Sequence, residues 1–111
     1  MDNEMETIRR RLGDSLSKND AAMHLELVKR AIDEMREGVC HFFFEKKDYS
    51  VREAFGTRDR TILEQFEGGV PENEDEDRNR NTGLVSFFDC TKKEWRCFRP
   101  ECIIMVDTNY M

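Results

Sequence analysis

What most constrains this chain is a change of hydrophobic period at Gly38. Upstream, Ala21, Leu25, Val28, Ile32 and Met35 step by four, three, four and three, placing all five on one helical stripe, widened by Leu27 and Ala31. Downstream, Gly38-Val-Cys-His-Phe-Phe-Phe-Glu45 is β-branched and aromatic and reads as a strand. The stripe needs a partner to bury it, so the order of elements points to an α+β protein with helices first and a sheet second. Gly38 sits where a helix C-terminal cap belongs. Before the stripe, Met5, Ile8, Leu12 and Leu16 recur at helical spacing with Glu6 four residues ahead of Arg10, which predicts a first helix. The break Ser17-Lys18-Asn19-Asp20 offers Ser17 or Asn19 as the cap of the second.

After the first strand, Lys46-Lys47-Asp48 makes a polar turn and Tyr49 to Thr57 returns as a second strand. Alternation puts Cys40, Phe42 and Phe44 on one face and His41 and Phe43 on the other, with Phe43 the expected docking point for the helix stripe. Asp59 to Phe66 suggests a short helical turn. Leu84 to Asp89, Trp95 to Phe98 and Ile103 to Asp107 supply three more strands, joined by a Thr91-Lys92-Lys93-Glu94 turn and a Pro100-Glu101 corner. Five short strands with polar turns predict a small barrel or a strongly curved sheet. The expected organisation is a helical segment at 1–37 and a barrel at 38–107. An acidic flexible insertion at 67–83 interrupts the barrel; its glycine, proline and like charges leave almost nothing to bury.

With 111 residues, 38% of them apolar, the chain can build one modest core. No apolar run approaches the length of a membrane span, and residues 1–11 are charged where a signal peptide would be apolar, so a cytoplasmic location is expected. Cys40, Cys90, Cys97 and Cys102 then read as thiols rather than as a disulfide framework. The net charge of −6 is unevenly placed: residues 38–66 carry 5 positive and 5 negative groups and 83–111 carry 4 and 4, whereas 67–82 carry 2 and 6. A uniformly basic nucleic-acid binder is disfavoured, and a local basic face remains open.

A strand ending in Lys46-Lys47-Asp48 is followed by Arg52-x-Ala54-x-Gly56-Thr57, then Phe87-Phe88-Asp89, then Trp95-Arg96-x-Phe98-Arg99-x-Glu101. In order and spacing this resembles the short WYL-like, Sm-fold β-barrel family of Bacteroides-type bacteria and their mobile elements, over about residues 38–107. Members usually have glycine after the Lys-Lys-Asp turn, where this chain has Tyr49, and the acidic insertion here is long. The resemblance implies a five-stranded Sm-like or SH3-like barrel behind an N-terminal helix or helical hairpin. It also implies kinship with the WYL modules of bacterial transcription regulators, which sense ligands or nucleic acid through a basic barrel face, and it carries over no reaction.

Within the barrel, Arg52, Arg58, Arg96 and Arg99 with the aromatic Trp95 are the candidate ligand-binding residues, because arginine forks suit phosphate and aromatic faces stack on bases. The competing reading is a mixed-charge solvated face in which Arg96 and Arg99 pair with Asp89 and Glu101 to pin strand ends. Cys90-x6-Cys97-x4-Cys102, with Cys40 or His41 as a fourth ligand, lacks the close cysteine pair of a zinc knuckle, so no metal is expected. Cys40 and His41 fall on opposite strand faces and cannot work as a catalytic pair, and Gly68-Gly69 precedes Val-Pro rather than a phosphate-loop helix. No catalytic residue and no cofactor is expected. The acidic run Glu72 to Asp77 reads as a solvated linker or, alternatively, as a mimic of nucleic-acid charge. The sequence therefore points to a non-catalytic binding or regulatory module with a nucleotide or nucleic-acid ligand. The alternative is a structural or protein-interaction protein that assembles through its helices or acidic loop, including a homodimer seam at Leu25, Val28, Ile32 and Met35.

Overall fold

The computed structural model describes residues 3–70 and 82–108. Helices α1 (Asn3–Ser15) and α2 (Lys18–Arg36) come first, then β1 (Val39–Glu45), β2 (Val51–Thr57) and the single helical turn α3 (Arg60–Leu63). Strands β3 (Val85–Asp89) and β4 (Glu94–Phe98), a 3-10 turn at Pro100–Cys102 and β5 (Ile103–Asp107) complete the chain. Ser17 starts α2, its hydroxyl accepting from the Asp20 N–H and so satisfying a donor that the first turn leaves free. At the other end Glu37, not Gly38, is the cap: its N–H donates to the Glu34 carbonyl, and the left-handed glycines among the described residues are Gly68 and Gly83. Strand β2 begins at Val51 rather than Tyr49, because Tyr49 sits in the turn with a φ of 69°.

The sheet is antiparallel in the order β4-β3-β2-β1-β5. Strands β4 and β5 are not hydrogen-bonded neighbours, so the sheet is not closed. It is nonetheless strongly coiled. Phe98 of β4 lies 5.3 Å from the Phe42 ring and 5.2 Å from the Phe44 ring of β1, although β3 and β2 stand between those strands. In a flat sheet three strand spacings would separate them by about 14 Å. The ladder between β2 and β3 is only two residue pairs long, Gly56↔Asp89 and Thr57↔Phe88. The Phe87 ring crosses this joint directly over Gly56, where a Cβ would lie 2.7 Å from Phe87 Cδ2.

The concave face holds Cys40, Phe42, Phe44, Ala54, Phe87, Phe98, Ile103 and Val106, and the helices close it with Ile8, Leu12, Val28, Ala31, Ile32 and Met35 in one core. The α2 stripe thus docks on the Phe42 face and not on Phe43. Phe43 remains half-buried on the convex side, 5.0 Å from the His41 ring. The concave aromatic surface offers far more apolar area than a single outer phenylalanine, and burial free energy follows area. The residues that suggested a dimer seam are in this way taken up by the chain's own sheet. Thr57 locks the helix to the sheet, its hydroxyl donating to the Gly38 carbonyl at 2.7 Å while the next N–H, of Arg58, donates to the Met35 carbonyl at 2.8 Å.

On the convex face His41 stacks on Phe55 at 4.5 Å and places Nδ1 2.9 Å from Asp107 Oδ2 and Nε2 2.7 Å from Glu53 Oε2. Ionised carboxylates only accept, so both bonds are made by the imidazolium, which links β2, β1 and the edge strand β5. Burial opposes the charge, but the bonds to Asp107 and Glu53 outweigh it and raise the His41 pKa above the ordinary histidine value.

Two outcomes follow from this packing. Gly56→Ala forces the Phe87 ring off its seat and is expected to destabilise the fold by about 1–3 kcal/mol, read as a lower midpoint in urea unfolding. A raised folded pKa means that the His41 contribution is fully present below the unfolded value of about 6.5 and is lost as pH rises through the folded value. The stability difference between the native protein and His41→Gln is therefore expected to shrink on going from about pH 6 toward pH 9; a difference that holds constant would show that the imidazolium contributes nothing.

Candidate anion-binding groove

Strand alternation carries the concave row of β2 from Gly56 through Ala54 to Arg52, which pairs in register with Phe44, and the row of β4 from Phe98 to Arg96, which pairs with Phe87. Each apolar row therefore ends in an arginine. These ends meet in an open groove of about 550 Å³ that also takes in Phe44, Leu84 and Phe98. Among the described residues, six cationic side chains stand around it, Arg11 of α1, Lys46 and Lys47 of the β1–β2 turn, Arg52, Arg96, and Arg99, against one lining carboxylate, Glu45. In a chain whose net charge is −6 this is a local inversion of sign.

The six cations are not equally committed. Arg11 grips Glu101 with Nε at 2.9 Å and Nη2 at 3.0 Å and donates from Nη1 to the Thr82 carbonyl at 2.9 Å. Arg96 donates from Nη2 to Glu94 at 2.5 Å, while its buried Nε lies 3.5 Å from Asp89 Oδ2 and has no hydrogen-bond partner among the described residues. Asp89 is itself occupied, its Oδ1 accepting from the Thr91 and Lys92 N–H groups. The side chains of Arg52 and Arg99 form no hydrogen bond or ion pair with any described residue.

Of the residues singled out in the sequence, Arg52, Arg96 and Arg99 converge here, and Arg58 and Trp95 do not line the groove. Arg58 is clamped against α1 by Glu4, with both terminal nitrogens at 2.7 Å from its carboxylate, while its Nε donates to the Ser86 carbonyl at 2.9 Å. Trp95 neighbours Arg96 in β4 and so points to the opposite face, where it meets Phe88 edge-on at 5.9 Å and donates to the Gly69 carbonyl at 3.0 Å. The expected Arg96–Asp89 pairing is present as a loose ion pair, whereas Glu101 is taken by Arg11 and not by Arg99. Arg11 was not legible as a groove residue, since on a helical wheel it is one of three consecutive arginines. The thiols are ordinary: Cys40 is buried, and burial together with nearby Glu34 pushes its pKa up to about 12. Among the described residues no three His, Cys, Asp or Glu side chains gather as a metal site and no helix is long and apolar enough to cross a membrane. The acidic run Glu72 to Asp77 lies outside the described residues.

The family model of WYL_2, an Sm-like SH3 beta-barrel fold, matches residues 28–104. The chain belongs to the WYL_2 family. No curated protein and no solved structure matches it. The WYL_2 match spans five of the six groove cations and starts within α2, so Arg11 alone comes from outside the family region. Folds of this Sm-like, SH3-type kind are generally non-catalytic binding domains.

The division between clamped and free arginines has a direct test. Arg58→Ala removes the two-pronged guanidinium clamp on the buried Glu4 carboxylate and is expected to destabilise the WYL_2 domain by about 3 kcal/mol. Arg99→Ala, which breaks no bond, should change stability by less than about 0.5 kcal/mol in the same urea titration.

Proposed function

We propose that this protein is a non-catalytic module that binds a nucleic-acid strand through the phosphate backbone in the groove. The observation that carries this reading is the pair of arginines, Arg52 and Arg99, whose side chains have no hydrogen bond or ion pair with any described residue in a groove ringed by six cations. A guanidinium left unpaired beside other cations is electrostatically unfavourable in the free protein, and its planar fork matches a phosphate in a bidentate manner. Sm-like domains commonly bind nucleic acids or proteins, which is consistent with the reading.

Phe44 and Phe98 are only 6% and 3% exposed, so their ring faces are not open to stacking bases. Contacts should then fall on phosphates, giving binding that tolerates sequence changes and falls steeply with salt. A protein-interaction role has one observation of its own: Ile104 and Met105 on the edge strand β5 are close to half exposed beside the convex face.

Fluorescence anisotropy of the purified protein with labelled single-stranded and duplex oligonucleotides, at low and moderate salt, tests the proposal. Binding is expected to weaken about tenfold or more in Arg52→Ala/Arg99→Ala, with the salt slope falling by about two. Absence of binding at low salt, or binding indifferent to the double substitution, would overturn it and direct attention to the β5 edge.

A further inference from the structure

Glu101 is the carboxylate best placed to silence the groove. It follows Arg99 by two residues, and its side chain is 18% exposed, so it cannot stay ionised there without a partner at small cost. Arg99 acts on it electrostatically but makes no hydrogen bond to it; the two bonds come from Arg11. Partial burial would push the Glu101 carboxyl up, yet the Arg11 bonds and the two positive charges hold it below the ordinary carboxylate value. Arg11 is itself well fixed. Its stem crosses Gly83, where φ is 76° and a Cβ would come within 3.0 Å of Arg11 Cδ, and α1 is anchored by buried Ile8 and Leu12 and by the Glu4–Arg58 clamp.

We propose that Arg11 is a positioning residue of the groove, which by occupying Glu101 keeps Arg99 open to a phosphate. This rests on the reading of the groove as a phosphate-binding surface. Two cations stand within reach of one carboxylate, and the one on the helix holds it in a two-pronged grip that a single-point contact cannot match. Remove Arg11, and the half-buried Glu101 recruits Arg99, which stands two residues before it and already acts on it electrostatically. The groove then loses two cations for one substitution. Because Arg11 precedes the residues matched by the family, α1 supplies a control over ligand affinity that the barrel alone does not contain.

The ligand-free arm of the test follows the Arg99 Nε–H resonance by NMR in the whole protein. In Arg11→Met it is expected to shift and to exchange more slowly with water as Glu101 captures the side chain, and to return to its native position in Arg11→Met/Glu101→Gln, which removes both charges and leaves no orphan carboxylate. An Arg99 signal that does not respond to Arg11→Met overturns the proposal. So does a double variant in which it stays shifted, and that variant keeps the test decisive if the single one folds poorly. The second arm is a double-mutant cycle on oligonucleotide affinity. Arg99→Ala is expected to weaken binding about tenfold in the native background and less than about twofold in the Arg11→Met background. Additive losses would show that Arg11 is an ordinary ligand contact. Failure of the native protein to bind oligonucleotide sinks the nucleic-acid reading alone, and the NMR arm still decides the Arg11 relation.

Discussion

The contact between Phe98 of β4 and Phe42 and Phe44 of β1 is the one on which everything else depends. Rings 5.2 and 5.3 Å apart on strands that are not neighbours can meet only if the sheet rolls up, and the roll is what creates a concave face. Gly56 is its hinge. A side chain there would prop Phe87 away from the short β2–β3 joint, and β4 would swing outward with Phe98, Arg96 and Arg99 attached. Core and groove are therefore one construction: the aromatic rows that fill the roll continue into the arginines at its mouth.

The helices complete the roll without closing it. Their apolar stripes cover the concave face, and the Glu4–Arg58 pair holds α1 in register with the sheet through two bonds of 2.7 Å. Such a pair is an uncertain source of net stability, because desolvation of both ions offsets their attraction, but it strongly penalises any arrangement that parts them. Its value here is placement. With α1 pinned at Glu4 and packed at Ile8 and Leu12, Arg11 can present its fork only toward Glu101 and Thr82.

Much of this was legible in the sequence, and the failures have definite causes. The strand β1 alternates in burial as its residues dictate, and the helical stripe is buried at Val28, Ala31, Ile32 and Met35. Period, however, says that a strand has two faces, not which one will be concave, and Phe43 was placed under the helix for that reason. Trp95 and Arg96 are both candidate ligand residues by type, and as adjacent strand residues they point to opposite faces. The clamp on Arg58 is not visible in the sequence, because its partner, Glu4, is 54 positions away and nothing local announces it. Tyr49, at the position where the resemblance implies a glycine, takes the left-handed conformation that the turn demands, so the hairpin forms with some strain.

Charge was the hardest property to read, and the reason is geometric. Counted by segment the barrel is neutral, which disfavours a uniformly basic binder and leaves a local basic face open. Folding sorts those charges by direction. Lys46, Lys47, Arg52, Arg96 and Arg99 turn toward the groove, while Glu53 and Asp107 turn to the convex face and are joined there by His41. Asp89 is drawn inward to cap a turn, and Glu101 is held by a helix residue. A neutral segment can thus build a strongly polarised surface, because a strand sends successive side chains to opposite sides and a sum along the chain erases that separation. What decides whether such a surface is functional is less the number of its cations than how many the protein has left unpaired. Here two guanidinium groups with no hydrogen bond or ion pair to any described residue, Arg52 and Arg99, lie in the same groove, and Glu101, two residues beyond Arg99, is already in the grip of Arg11.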